Sequence, residues 1–275
     1  MESGFNKLYK VGSLKYITFS ILVLASISCA ISIVNNDLYL DGEWANAQWL
    51  GQDIATLFVA IPLLLLSYQK SIKTKKWETV LSGTLFYFVY TYSFFVFEAK
   101  LTFLYFFHLP IFSLSLIGLF ISLKNTLAEK RKYVTKNNSI KRLVLVYLLL
   151  ISGMLSFLWL SDIVSHITIP NYKSDTPSGE PLLIVYTLDL AIVIPLMMIS
   201  VIGYYKNRQY GIKLIGVMLT KTSTLGIALM AMSLSMYLQK LSLDLFLAIL
   251  WFSIGIIGTT LSLFFLKDLR EESII

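Results

Sequence analysis

The sequence alternates between long apolar runs and short polar segments. Runs of roughly 20 residues recur, the length that an α-helix needs to cross about 30 Å of hydrocarbon at 1.5 Å per residue. Charges or turn-forming residues bound eight runs, at about residues 16–34, 49–68, 78–97, 102–123, 143–161, 182–204, 212–237 and 245–266. The pattern predicts an all-α polytopic membrane protein, an eight-transmembrane-helix bundle that forms a single transmembrane domain over residues 1–275.

The composition favours the same class. Of the 275 residues, 56% are hydrophobic and 14% are charged, and the mean hydropathy is +0.73. Soluble domains carry about 25% charged residues. The single cysteine, Cys29, lies in the first apolar run, which excludes an intrachain disulfide. No small-residue cleavage site clearly follows that run, so we expect an uncleaved first span rather than a signal peptide.

The basic residues predict an orientation. Nineteen of the 23 lysines and arginines precede the first run or follow an even-numbered run. Lys100, Lys173 and Lys240 fall on the other side, and Lys221 falls inside a run. The positive-inside rule therefore puts both termini in the cytoplasm. Because this distribution accounts for the net charge of +7, we expect contacts with membrane lipids and no nucleic-acid partner.

A weak internal similarity relates runs one to four to runs five to eight. Three segment pairs align in the same order: ISCAIS (27–32) with ISGMLS (151–156), DIATLFVAIPLLLLS (53–67) with DLAIVIPLMMIS (189–200), and FSLSLIGLFISL (112–123) with FSIGIIGTTLSL (252–263). A parallel 4+4 repeat would have halves 1–127 and 140–275, joined by a solvated linker at 128–139. Chance similarity between apolar sequences is the alternative.

Two charged residues lie deep inside predicted spans. Counted along their helices, Asp189 and Lys221 reach similar depths in neighbouring antiparallel spans. An isolated charge there costs roughly 2.5–3.5 kcal/mol on insertion scales. We therefore predict an Asp189–Lys221 ion pair. It would either fix the register of two helices or form a substrate or proton site, and the sequence leaves both open.

Further polar residues predict a pocket in the outer half of the bundle. Asp53 lies near the top of the second span, Glu98 tops the third with Tyr90 close by, and His108 lies two turns into the fourth. We expect the side chains of Asp53 and Glu98 to share one concavity with His108 near it. The predicted substrate-binding residues are Asp53, Tyr90, Glu98, His108, Asp189 and Lys221. In the alternative interpretation, the carboxylates are hydrated at the interface and His108 bonds a carbonyl.

Familiar catalytic and metal-binding patterns are missing from the sequence. The two histidines, one cysteine and the carboxylates show no metal-ligand spacing, and there is no G-x-S-x-G, H-E-x-x-H or P-loop. A lysine in a seventh span is typical of rhodopsins, but eight spans and Val217, rather than an aspartate, one turn before Lys221 argue against retinal. We expect no metal and no cofactor.

The chain resembles a family of uncharacterised bacterial integral membrane proteins with no established activity. The resemblance rests on GQDIATLFVAIPLLL (51–65), YTYSFFVFEA (90–99) with the FLYFFHLPIFSLSL that follows, and VYTLDLAIVIPLMM (185–198). It implies a multi-pass protein of the bacterial plasma membrane, and a lysine at position 221 is not part of the pattern.

Three functions are compatible with the sequence. The first is a small-solute transporter or binding protein with a polar site in the outer half of the bundle. The second is a membrane-embedded enzyme acting on a lipid or isoprenoid, with Asp53 and Glu98 as acid and base. The third is a non-catalytic subunit or sensor. The sequence favours a protein that is not an enzyme, and it leaves the ligand and the oligomeric state open.

Overall fold

The structure is a computed structural model that describes residues 2–174, 176 and 179–272, with side chains described for 13–35, 37–174, 176 and 179–272. In this part of the chain the α-helices are Glu2–Val34, Glu43–Ala55, Ile61–Lys73, Trp77–Phe97, Tyr105–Ala128, Asn138–Thr168, Leu183–Leu188, Ile194–Tyr205, Gln209–Leu238 and Leu245–Asp268. A 3-10 turn covers Asn36–Leu38.

Eight helical segments of the described chain are long and apolar enough to cross a membrane. They are span 1 (Ser13–Val34), span 2 (Glu43–Lys73), span 3 (Trp77–Phe97), span 4 (Tyr105–Ala128), span 5 (Asn138–Thr168), span 6 (Leu183–Tyr205), span 7 (Gln209–Leu238) and span 8 (Leu245–Asp268). The prediction of eight helices is confirmed, and these helices indicate a multi-pass membrane protein. Span 2 begins earlier than predicted because the polar segment after Gly42 also forms helix.

Spans 2 and 6 each contain one π-helical turn directly before an Ile-Pro pair. The turns are Thr56–Ala60 and Asp189–Val193. A proline inside a helix lacks an N–H and crowds the carbonyl of the preceding turn. The wider turn accommodates it, because the N–H of Ile194 reaches the carbonyl of Asp189 five residues back. The second turn thus begins at a predicted site residue.

Spans 3 and 7 form the centre of the bundle. Their most apolar windows are 78% and 72% buried, whereas those of the other spans are 28–44% buried. The two helices approach closely at Gly83, where a Cβ atom would lie 2.5 Å from the carbonyl oxygen of Val217 and 2.6 Å from Cβ of Thr220. Only glycine allows this approach, which joins the two halves of the chain.

The two halves of the chain pack in the same pattern. In the first half, spans 1 and 3 each contact spans 2 and 4; in the second half, spans 5 and 7 each contact spans 6 and 8. Contacts between the halves run from span 7 to spans 2, 3 and 4, and from span 3 to span 6. Each half is therefore a ring of four helices, and the rings meet along spans 3 and 7.

Within this otherwise all-helical fold, part of the predicted linker forms a short β-ribbon. Strand β1 (Tyr133–Thr135) pairs antiparallel with strand β2 (Leu269–Glu271). The Gln209 side chain accepts a hydrogen bond from the Tyr133 N–H at 2.8 Å and donates one to the Tyr133 carbonyl at 3.0 Å. Periodicity within 128–139 could not predict this ribbon, because its partner strand lies at the other end of the chain.

Candidate functional site

A cavity of about 570 Å³ lies between the two halves of the bundle. Spans 2, 3, 5, 6, 7 and 8 all contribute to its wall. We call the end of the bundle with the loops between spans 1–2, 3–4, 5–6 and 7–8 the acidic end, and the opposite end the basic end. The cavity runs from Asp41 and Tyr172 at the acidic end to Lys221, midway along span 7. Volumes of roughly 300–1,000 Å³ are typical of small-molecule sites.

The Lys221 ammonium group lies at the inner limit of this cavity without a hydrogen-bond or salt-bridge partner among the described residues. The residue is only 2% exposed. Its Nζ atom lies 4.0 Å from the ring centroid of Tyr90 and 5.8 Å from that of Phe86. No hydrogen bond or ion pair to Nζ is found among the residues that the structure describes. Cation–π contact with the rings offsets part of the desolvation cost but leaves three N–H donors free.

Asp189 lies on the same cavity wall and has two donors of its own. Its carboxylate accepts hydrogen bonds from the Tyr90 hydroxyl at 3.0 Å and from Nε1 of Trp159 at 2.9 Å. No ion pair within 4.0 Å joins it to Lys221 in the described structure, so the direct form of the predicted pair is wrong, whereas a pair bridged by one water or hydroxyl stays a prediction. Tyr90 lies between the two charges: its ring faces the ammonium group and its hydroxyl bonds the carboxylate.

Two more side chains in the cavity wall have polar atoms without a partner. Oγ1 of Thr222 and Nε2 of Gln48 are buried, and neither forms a hydrogen bond within the described residues. Gln52, one turn below Gln48, differs because it donates to the Tyr87 hydroxyl at 2.8 Å and to Thr91 Oγ1 at 3.2 Å. Both residues belong to the cavity wall and carry a polar atom without a hydrogen-bond partner in the described structure, which is rare for buried polar atoms in native proteins.

Carboxylates line the cavity at the acidic end. Asp41, Glu98, Asp162 and Asp244 all contribute to its wall. Asp41 accepts from Trp49 Nε1 at 3.0 Å, and Asp162 accepts from the Tyr186 hydroxyl at 2.8 Å. Burial, and then the nearby Asp41 carboxylate, raise the pKa of Glu98 above its ordinary value. The carboxylates at the acidic end of the cavity attract cations and repel multiply charged anions.

Asp53 lies in a separate, closed cluster of polar groups. Its carboxylate accepts hydrogen bonds from Ser32 Oγ at 2.5 Å, the Tyr39 hydroxyl at 2.7 Å and Cys29 Sγ at 3.5 Å. Burial, and then the Asp53 charge, raise the pKa of Tyr39 well above its ordinary value, so this hydroxyl stays protonated and donates. Asp53 is 1% exposed and does not line the cavity.

His108 belongs to the Asp53 side of the bundle rather than to the cavity. Its ring lies 4.5 Å from Phe95, 5.7 Å from Tyr92 and 6.5 Å from Tyr39, measured between centroids. Nε2 is buried and has no partner among the described residues. The expected common pocket of Asp53, Glu98 and His108 is therefore wrong, whereas Tyr90, Glu98, Asp189 and Lys221 do share one cavity.

Asp53 is separated from the cavity because adjacent residues on span 2 face different neighbouring helices. Successive residues of an α-helix point about 100° apart. On span 2, Gln52 faces span 3 and lines the cavity, so the next residue, Asp53, faces span 1. Sequence spacing identified polar residues at a common depth but did not specify which neighbour each one faces. Trp159, Gln48 and Thr222 were missed because a single tryptophan, amide or hydroxyl in an apolar helix carries no signal of its own.

Comparisons with known proteins return no match: no protein-family model, no curated protein and no solved structure matches this chain. In the described residues, no group of three or more histidine, cysteine or acidic side chains could hold a metal ion.

Proposed function

We propose that this protein is a small-solute transporter or solute-binding protein whose site is the cavity between the two halves. One observation carries the proposal: the Lys221 ammonium group ends in the cavity with no hydrogen-bond acceptor among the residues that the structure describes. Keeping an unpaired charge in a membrane span costs several kcal/mol, so intramembrane ionisable residues generally serve function. A bound solute supplies the missing partner.

The closed packing below Lys221 supports an alternating-access form of this proposal. Spans 3 and 7 touch there at Gly83, and Gly216 approaches Thr79, whose Oγ1 would lie 2.8 Å from a Cβ atom at position 216. Nearer the basic end, Lys76 Nζ donates to the carbonyls of Leu266 and Leu269 at 3.0 and 3.4 Å. The cavity thus extends to one end only, and transport requires the two halves to move relative to each other.

The alternative of a lipid or isoprenoid enzyme with Asp53 and Glu98 as acid and base has no geometric support. Asp53 is enclosed by Ser32, Tyr39 and Cys29, while Glu98 lines the cavity on the other side of span 2. A proton shuttle between them would have to cross a packed helix. The remaining alternative, a subunit or sensor without a site of its own, makes no use of the cavity.

The orientation, the repeat and the location form part of the same proposal. The positive-inside rule puts the basic end and both termini in the cytoplasm, so the cavity faces the outside. The matching contacts of the two four-helix rings and the two π turns before Ile-Pro support a parallel 4+4 repeat. The resemblance to bacterial integral membrane proteins makes the bacterial plasma membrane the proposed location.

Cysteine labelling tests the orientation. Lys100 lies at the acidic end and Lys136 at the basic end, and both are exposed. In intact cells, a membrane-impermeant maleimide should label Lys100→Cys and not Lys136→Cys, and permeabilisation should expose the latter. The native Cys29 is 0% exposed and serves as the buried control. Labelling of both positions in intact cells would overturn the topology.

A second labelling experiment tests access to the cavity. Thr222→Cys should react from outside with a small hydrophilic thiol reagent, because position 222 lines the cavity and its native hydroxyl bonds nothing in the described structure. Thr220→Cys is the matched control on the same helix, since Thr220 packs against Gly83 and is absent from the cavity wall. Equal reactivity at the two positions would contradict a water-accessible cavity.

A further inference from the structure

We infer that the cavity binds a zwitterion with an apolar body, namely an amino acid with a large aliphatic or aromatic side chain, its carboxylate on Lys221 and its ammonium group directed to Asp189. This inference rests on the proposed function and specifies its substrate class. Lys221 and Asp189 carry opposite charges and line the same cavity. The Tyr90 side chain lies between them, and no direct salt bridge joins them in the described structure.

The carboxylate of the ligand is assigned from the unused donors. Lys221 Nζ presents three N–H groups and, in the described structure, contacts only the faces of two aromatic rings. The next residue, Thr222, also lines the cavity, and its Oγ1 has no partner among the described residues. A carboxylate accepts charge-assisted hydrogen bonds from both kinds of donor, which are about twice as strong as neutral ones.

The ammonium group of the ligand is assigned from Asp189 and the rings beside it. Each Asp189 oxygen accepts one hydrogen bond, from Tyr90 or from Trp159, and each keeps a further acceptor site. The two donors orient the carboxylate without neutralising its charge. The rings of Tyr90 and Trp159 also line the cavity, and aromatic faces attract cations.

Charge balance distinguishes a zwitterion from an ion of one sign. With Lys221 positive and Asp189 negative, the inner part of the cavity has no net charge. A bound monoanion or a bound amine would leave one unbalanced charge in the low-dielectric interior, which is costly. A zwitterion pairs with both protein charges and leaves the net charge of the inner cavity at zero. The four carboxylates at the acidic end further disfavour a phosphate ester or any other dianion.

The remaining wall defines the body of the ligand. Between the charged pair and the acidic end, the cavity is lined by apolar side chains, among them Leu155, Leu225, Leu229, Trp251 and Ile254. Burying an apolar side chain there is favourable because it removes apolar surface from water. The volume of about 570 Å³ leaves room for a side chain of the size of phenylalanine or leucine.

Two matched series of probes test the inference on the purified wild-type protein. One series is L-phenylalanine, 3-phenylpropanoate and phenethylamine; the other is L-leucine, 4-methylpentanoate and isoamylamine. Isothermal titration calorimetry should give, in at least one series, an amino acid that binds about tenfold or more tighter than both of its analogues, because each analogue leaves one charge unpaired. An acid or an amine that binds as tightly as its amino acid in both series would overturn the inference.

Two variants assign the ends of the ligand. With Lys221→Met, the amino acid should lose its advantage over the amine and keep it over the acid. With Asp189→Asn, it should lose its advantage over the acid and keep it over the amine. An unchanged preference in either variant contradicts the assigned contact.

The labelling of Thr222→Cys separates the two levels of the proposal. If neither amino acid binds while Thr222→Cys still reacts from outside, the zwitterion is wrong and the solute cavity stands. If Thr222→Cys does not react, the proposed function itself fails.

Discussion

Replacing Asp53 with alanine is expected to lower the free energy of unfolding by about 3–5 kcal/mol, because three buried donors lose their common acceptor. Ser32 and Tyr39 donate to this carboxylate at 2.5 and 2.7 Å, and Cys29 does so more weakly at 3.5 Å. No water-accessible space adjoins them, since Asp53 is 1% exposed. The melting temperature in detergent and the yield of folded protein both report this loss.

Two comparisons show whether the loss comes from the donors. Asp37→Ala is the matched control, because Asp37 is exposed and accepts no hydrogen bond in the part of the chain that the structure describes. Its melting temperature should equal that of the wild type. Tyr39→Phe removes one donor and leaves the carboxylate with two, so its effect should be intermediate. An Asp53→Ala protein as stable as Asp37→Ala would show that the closed cluster does not form.

Replacing Lys221 with methionine is expected to reduce binding of the amino acid at least about tenfold while changing the stability of the ligand-free protein little. The substitution keeps a similar volume and removes a desolvated ammonium group, whose cost is roughly 2.5–3.5 kcal/mol. It also leaves the buried Asp189 carboxylate without a balancing positive charge, although Asp189 keeps both donors, Tyr90 and Trp159. Because these two effects oppose each other, the melting temperature should stay close to that of the wild type.

Lys213 provides a matched control on the same helix. It is 3% exposed, close to the 2% of Lys221, but its Nζ donates to the Glu129 carbonyl at 2.5 Å. Lys213→Met should therefore lower the melting temperature, because it removes a hydrogen bond that Lys221 does not have. Equal losses in both variants would mean that Lys221 has an acceptor of its own and that its stabilising role resembles that of Lys213.

Four of the six predicted substrate-binding residues lie together in the structure. Tyr90, Glu98, Asp189 and Lys221 share one cavity, and an ionisable residue inside an apolar helix is visible without any structure because burial of a charge is costly wherever it occurs. Asp53 is also an ionisable residue inside an apolar helix, but it does not line the cavity. Its three hydrogen-bond donors come from span 1 and from the loop after it, and no sequence pattern relates these donors to Asp53.

The sequence by itself determined the eight helices, with bounds that differ from those of the structure by up to seven residues, because helix length in a membrane follows from hydrocarbon thickness and from local backbone hydrogen bonding. Only the tertiary structure decided which way each polar side chain faces. Asp53 and Gln52 are neighbours in sequence but belong to different sites, because one helix contacts different partners on its two sides. Lys221 faces Tyr90 rather than Asp189 because span 3 crosses span 7 closely at Gly83, which brings an aromatic ring between the two charges. Helix packing, which depends on all neighbours at once, thus produced the unpaired charge on which the proposed function rests.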